Sequence, residues 1–138
     1  MQINERLISK FTSYRKDPVL FVREIFGATP TAQQEQLLKA IAKDNAHVAV
    51  KSGHGIGKTS CLAWALLWFL WTRLDVEIPC TAPSSHQLND VLWSEVDSWR
   101  MKMPKDMADA TIITRDRVTI EGCGKKQYAV ARTARRDQ

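Results

Sequence analysis

The sequence of 138 residues predicts an α/β protein, in which a partly parallel sheet is flanked by helices and a β-hairpin region lies toward the C-terminus. Three observations support this class. The first 45 residues have helical patterns, a short apolar strand at 47–51 leads into a glycine-rich loop and an apolar helix, and further strand patterns follow residue 75. Such an alternation of strands and helices is typical of α/β folds with parallel strands.

The N-terminal segment contains two helix-start signals. Asp17 and Pro18 are suited to the N-cap and the first position of a helix, and Gly27 is its expected stop. Thr31 and Gln34 are the two ends of a capping box that opens a second helix. The apolar residues expected on the inner side of this helix are Leu37, Leu38 and Ile41. We therefore divide the chain into a helical segment at 1–45 and an α/β domain at 46–138.

The segment from Lys58 to about Arg73 predicts a helix that is apolar on nearly every side, and hence buried. Its tryptophans, Trp64, Trp68 and Trp71, lie at positions i, i+4 and i+7. This spacing predicts a packed stripe of the core rather than a surface that stacks on bases.

A strand is predicted at 76–82, where Pro79 favours a sheet edge or a bulge. Ser84 and Gln87 have the spacing of another capping box. The helix that follows has apolar residues at helical spacing, namely Leu88, Val91, Leu92, Val96 and Trp99.

The last part of the sequence has strand patterns. Segments 111–114 and 117–120 flank Arg115 and Asp116, which predicts a β-hairpin. Gly122 to Gly124 then turns the chain into a further strand at 127–131.

Composition limits the function classes. The chain is 44% hydrophobic and 25% charged, as is ordinary for a globular protein. Its three cysteines have neither zinc-ligand spacing nor a disulfide pattern. The N-terminus lacks the apolar core of a signal peptide, and the longest apolar run, at 61–71, is too short to span a bilayer, so we expect an intracellular protein that is not secreted.

The net charge of +5 is unevenly placed, because residues 100–138 hold ten of the 20 basic residues but five of the 15 acidic ones. This excess suits a polyanion such as DNA. A solvated basic surface without a partner is equally compatible with the charge alone.

The sequence Ser-Gly-His-Gly-Ile-Gly-Lys-Thr at 52–59 predicts a phosphate-binding loop. Ser52 replaces the first glycine of the usual G-x-x-x-x-G-K-[ST] pattern, but three alternating glycines allow the backbone to wrap a phosphate with its N–H groups. Lys58 is placed to reach the β- and γ-phosphates as the catalytic lysine, and the Thr59 hydroxyl is placed to ligate Mg²⁺. The predicted nucleotide-binding residues are Gln34, Ser52, Gly53, His54, Gly55, Ile56, Gly57, Lys58, Thr59 and Ser60.

Two further motifs narrow the choice among P-loop proteins. Thr-Ala-Pro-Ser at 81–84 is similar to a motif that faces nucleic acid in helicase-like and terminase ATPases, which makes Thr81, Ser84 and Ser85 candidate DNA-facing residues. Thr-Pro-Thr-Ala-Gln-Gln at 29–34 resembles the adenine-binding element of phage terminases. Its Gln34 can pair with the N6/N7 edge of adenine and favour ATP, or it can serve only the capping box.

Most of the chain from about residue 17 resembles the N-terminal ATPase region of the large terminase subunit of tailed phages and prophages. The segments that carry this resemblance are 17–27, 51–59, 81–87, 91–96 and 128–134. The resemblance implies a P-loop NTPase core of the RecA/helicase-like (ASCE) kind. Such motors often have an arginine in the phosphate-binding loop, and His54 stands at about that place in this sequence.

The resemblance also implies a function. In the intact family, ATP and Mg²⁺ drive double-stranded DNA into a procapsid, an endonuclease domain cuts the DNA, and the partners are a small terminase subunit, the portal protein and other copies in a ring. The expected location is the bacterial host cytoplasm. No apolar strand ending in Asp-Glu, which would support Mg²⁺ and activate water, occurs in these 138 residues. We therefore expect an incomplete, truncated ATPase region with little hydrolase activity. The alternatives are the first half of a helicase-like DNA translocase and a non-catalytic nucleotide- or DNA-binding module.

Overall fold

A computed structural model describes residues 5–46, 57–84, 86–124 and 126–133. Within these ranges the protein is α/β, with helices packed around a four-stranded mixed sheet. The predicted strand at 47–51, loop residues 52–56 and Ser85 lie outside the described residues. None of the helices in the described ranges is long and apolar enough to cross a membrane.

The N-terminal helices are α1 (Glu5–Lys16), α2 (Pro18–Phe21), a π-helical continuation at Val22–Phe26, and α3 (Ala32–Ile41). The predicted start and stop around α2 are confirmed. The Asp17 carboxylate accepts a hydrogen bond from the Leu20 N–H at 3.1 Å, and Gly27 ends the segment at φ 66°. A left-handed φ of this kind favours glycine over other residues.

Helix α4 (Lys58–Thr72) is the centre of the core. Trp64 and Trp68 are buried, and the half-buried Trp71 donates from Nε1 to Thr111 Oγ1 at 3.0 Å, so the predicted core stripe is confirmed. The expectation of burial on every side is wrong at Lys58, which is exposed, and at Leu62, which is 47% exposed. The fully buried part of the helix includes Ala63, Leu67 and Leu70.

The sheet has the order β1-β4-β3-β2, formed by β1 (Glu77–Ala82), β2 (Thr111–Ile113), β3 (Arg117–Ile120) and β4 (Tyr128–Thr133). Strands β1 and β4 are parallel, while β2–β3 and β3–β4 are antiparallel. The predicted β-hairpin and the strand after it are therefore confirmed. Among the described strands, β1 lies at an edge of the sheet and pairs only with β4. Pro79 has no N–H to donate, and an edge strand tolerates this because it needs hydrogen bonds on one side only.

The helical segment after β1 differs from a regular α-helix. It is π-helical over Gln87–Trp93 and becomes α5 at Ser94–Arg100. A π-helical turn contains more residues than an α-helical turn. The residues that face the core therefore differ from those that regular α-helical spacing predicts. Trp93 is buried, whereas Val91, which regular spacing placed inside, is 42% exposed.

Two polar anchors hold α4 at its far end. The Gln127 side chain, 5% exposed, donates from Nε2 to the Leu70 carbonyl at 2.7 Å and also to the Arg73 carbonyl. Trp68 Nε1 donates to the Tyr14 carbonyl at 2.6 Å. Helix α4 is thereby tied to β4 on one side and to α1 on the other. The remaining helix, α6, spans Lys105–Ala110.

Candidate functional site

The described part of the predicted phosphate-binding loop is its junction with α4. Gly57 precedes the helix in a left-handed conformation, φ 75°, and supplies no side-chain cap to it. The first turn of α4 contains no acidic residue. Lys58 is exposed, and Thr59 and Ser60 are half-buried. This end of α4 therefore combines uncapped backbone N–H groups with an exposed ammonium group, which together suit an anion.

Gln34 joins the start of α3 to the start of α4. Its Nε2 donates to the Gly57 carbonyl at 3.0 Å, while its Oε1 accepts from the Thr31 N–H at 2.9 Å. The Gln34 N–H donates to Thr31 Oγ1 at 3.2 Å, so the predicted capping box is confirmed with both of its bonds. The role of Gln34 in reading adenine stays a prediction.

Ser60 has a partner that the sequence did not indicate. Its hydroxyl donates to Glu95 Oε1 at 2.6 Å, and Trp99 Nε1 donates to the same oxygen at 3.0 Å. Glu95 and Trp99 lie one turn apart on α5, and this i, i+4 spacing was the only signal available in the sequence. The bond ties the first turn of α4 to α5, so the Ser60 hydroxyl is already engaged within the protein.

The candidate DNA-facing residues lie at the carboxyl end of β1. Thr81 is exposed near the end of the strand, and the exposed Ser84 accepts a hydrogen bond from the Gln87 N–H at 3.3 Å, which forms one half of the predicted capping box. Helix α4 and β1 are joined by the short connection 73–76. The DNA-facing role of Thr81 and Ser84 stays a prediction.

Several basic residues of the C-terminal part are engaged within the fold. Arg100 pairs with Asp97 at 2.8 Å and donates to the Ala108 carbonyl, and Arg132 pairs with Glu77 at 2.9 Å. Two further cations lie over aromatic rings: Lys102 over Trp99 and Arg117 over Tyr128. Part of the basic excess therefore stabilises the structure.

A cleft of about 550 Å³ lies at the opposite end of α4. The Arg73 guanidinium is stacked over Trp68 and Phe69, 4.4 and 4.2 Å from the ring centroids, and burial lowers its pKa, with a further contribution from Arg15. The helix has 15 residues, so this cleft is about 22 Å from Lys58. The cations around it lie in the last turn of α1 or just after the ends of α3 and α4, where positive charge is favourable to the helix dipole. They are Arg15, Lys16, Lys43 and Arg73.

The three cysteines lie within the described ranges and differ in burial. Within the described ranges no three His, Cys, Asp or Glu side chains are grouped so as to hold a metal ion. Burial raises the pKa of Cys61 and of Cys80 to about 11, whereas Cys123 is exposed. The buried Cys61 thiol and the half-buried Cys80 thiol are therefore protonated at neutral pH, which lowers their reactivity.

Comparison with known proteins supports one relationship. The chain is 27% identical over 85 residues to a protein described as "Probable terminase, large subunit" from Enterobacteria phage P7. The alignment covers 62% of this chain and 17% of that relative, so the chain spans well under a fifth of the relative's length. No known protein-family profile matches the chain. The terminase resemblance noted in the sequence is supported as a distant similarity.

Proposed function

We propose that this chain is the nucleotide-binding part of a DNA-packaging motor of the terminase large-subunit type. The observation that carries the proposal is the junction of the Ser-Gly-His-Gly-Ile-Gly-Lys-Thr motif with α4, where the left-handed Gly57 leads directly into a helix that begins at Lys58. The similarity to the phage P7 protein favours terminases among the many proteins with such a motif.

In this proposal the ligand is a magnesium complex of ATP. The N–H groups at the start of α4 contact the phosphates, because they have no partners within the first turn of the helix. The Lys58 ammonium group neutralises the β- and γ-phosphates, and the Thr59 hydroxyl is a ligand of Mg²⁺. When bound, the ion offsets the charge of the phosphate oxygens. Double-stranded DNA is the proposed substrate of the whole motor.

The proposal concerns binding more than hydrolysis. An Asp-Glu pair at the end of an apolar strand is absent from the 138-residue sequence, and Ser94–Val96, which carries an acidic residue, belongs to helix α5. Glu95 itself is held by Ser60 and Trp99. We therefore expect this chain to bind nucleotide and to hydrolyse it slowly.

Titration of the chain with a fluorescent ATP analogue and Mg²⁺ tests the proposal. Lys58→Ala is expected to weaken binding at least about tenfold, because it removes a charge-assisted contact worth about 1.5–3 kcal/mol. Lys105→Ala, an exposed lysine at the start of α6, is the matched control and should bind as the unsubstituted chain does. Equal binding by all three proteins would refute a phosphate-binding role for this loop. Absence of detectable binding by all three proteins would instead favour a DNA-binding module that does not bind nucleotide.

A further inference from the structure

The amide of Gln34 is enclosed between two backbone groups. Its oxygen accepts from the Thr31 N–H and its nitrogen donates to the Gly57 carbonyl, at 2.9 and 3.0 Å. The residue is 8% exposed. A buried amide with partners at both ends is held in one orientation, since turning it over would replace both bonds with repulsive contacts.

The Gln34 amide occupies the space beside Gly57 where a side chain would begin. A Cβ added to Gly57 would collide with Gln34 Nε2, so any other residue at this position would have to displace the amide. The Gly57 carbonyl also accepts from the Cys61 N–H at 3.0 Å, as the first bond of α4. The thiol of Cys61 in turn donates to the Gln34 carbonyl at 3.8 Å. The starts of α3 and α4 are therefore bonded to each other in both directions.

Pairing with adenine would require the same two atoms of Gln34. An amide that recognises the N6/N7 edge accepts with its oxygen and donates with its nitrogen. In this structure each of these atoms already has a protein partner. Although the oxygen keeps a second lone pair and the nitrogen a second hydrogen, an amide that turned its edge to a base would break the bonds to Thr31 and Gly57. Burial adds to the difficulty, because a base would have to displace the protein that covers the side chain.

We propose that Gln34 is a positioning residue, which fixes the Gly57 carbonyl and thereby the start of α4, and that it does not select the base of the nucleotide. This inference rests on the proposed function, because it assigns a role within the same phosphate-binding site. The contribution of Gln34 to binding is then the same for ATP, for GTP and for tripolyphosphate, which has no base.

Two substitutions separate positioning from base recognition. Gln34→Glu keeps the acceptor for the Thr31 N–H, as in the Thr/Glu form of the capping box, but cannot donate to Gly57. Gln34→Met keeps the length of the side chain and removes both bonds. Gln33→Met, at the exposed neighbour in the same helix, is the matched control. Urea unfolding of each variant establishes that it is folded before binding is measured.

Dissociation constants are then measured for the magnesium complexes of ATP, GTP and tripolyphosphate. We expect each Gln34 variant to weaken the binding of all three ligands by a similar factor, about five- to tenfold. The ratio of the dissociation constants for ATP and GTP should stay the same to within about twofold. Gln33→Met should change none of them. Weakening of ATP alone, with GTP and tripolyphosphate unaffected, would overturn the inference while leaving the proposed function intact. Unchanged binding of all three ligands by both Gln34 variants would also overturn it. If the unsubstituted chain binds none of the three, both the proposed function and the inference fall.

Discussion

Gln127 gives a test of how α4, the helix that begins with Lys58, is anchored. Its side-chain amide donates to the carbonyls of Leu70 and Arg73, at the end of α4 where carbonyl groups have no partner within the helix. Gln127→Met preserves the volume of the side chain and removes both donors. The Leu70 carbonyl is then left buried without this bond, whereas that of Arg73 lies in a partly buried position and can be reached by water.

An unsatisfied buried carbonyl costs about 1–3 kcal/mol, and loss of a hydrogen bond that water replaces costs about 0.5–1 kcal/mol. We therefore expect Gln127→Met to lower the free energy of unfolding by about 1.5–4 kcal/mol. Urea denaturation followed by tryptophan fluorescence measures this change, and the slope with urea should stay the same. Gln33→Met, the same substitution at an exposed position of α3, is the control. A difference between the two variants of less than about 0.5 kcal/mol would refute the anchoring role.

Two further predictions concern the cap of α2 and the thiols. Asp17→Ala should destabilise the protein by about 1 kcal/mol in urea unfolding, because it removes the hydrogen bond from the Leu20 N–H. Asp17→Asn, whose side chain can also cap a helix, should lose little stability. Equal losses by the two variants would contradict a capping role. At neutral pH, alkylation followed by mass spectrometry should modify the exposed Cys123 well before Cys61 or Cys80. Burial raises the pKa of both of these thiols to about 11. Equal rates of alkylation at all three cysteines would contradict this protection. Since the folded protein keeps these two thiols protonated, their contribution to stability is complete below the ordinary thiol pKa and is lost as the pH rises from there through about 11.

The sequence was informative where a local rule decides the structure. The cap at Asp17, the stop at Gly27 and the capping box of Thr31 and Gln34 depend on neighbours within a few residues, and all are confirmed. The hairpin around Arg115 and the tryptophan stripe of α4 were predicted for the same reason. These signals needed no knowledge of what packs against them.

The register of the segment after β1 was decided by packing. Regular helical spacing placed Val91 inside, but the π-helical turn over Gln87–Trp93 buries Trp93 instead. A single extra residue in one turn is invisible in a hydrophobic pattern, because the pattern assumes a constant period. The C-terminal basic excess was similarly ambiguous, and only a tertiary contact shows that Arg132 is paired with Glu77.

The α/β class, the ends of the helices around Asp17–Gly27, Thr31 and Lys58, and the motif at 52–59 could be predicted without a structure, because they follow from side-chain chemistry at short range. The long-range partners of Gln34, Ser60 and Gln127 could be found only in the folded protein, because these residues lie 23, 35 and 57 positions from the groups they bind. Hydrogen bonds over such separations depend on how α4 packs against α3, α5 and the start of β4. That packing is a property of the whole fold, and no local pattern records it.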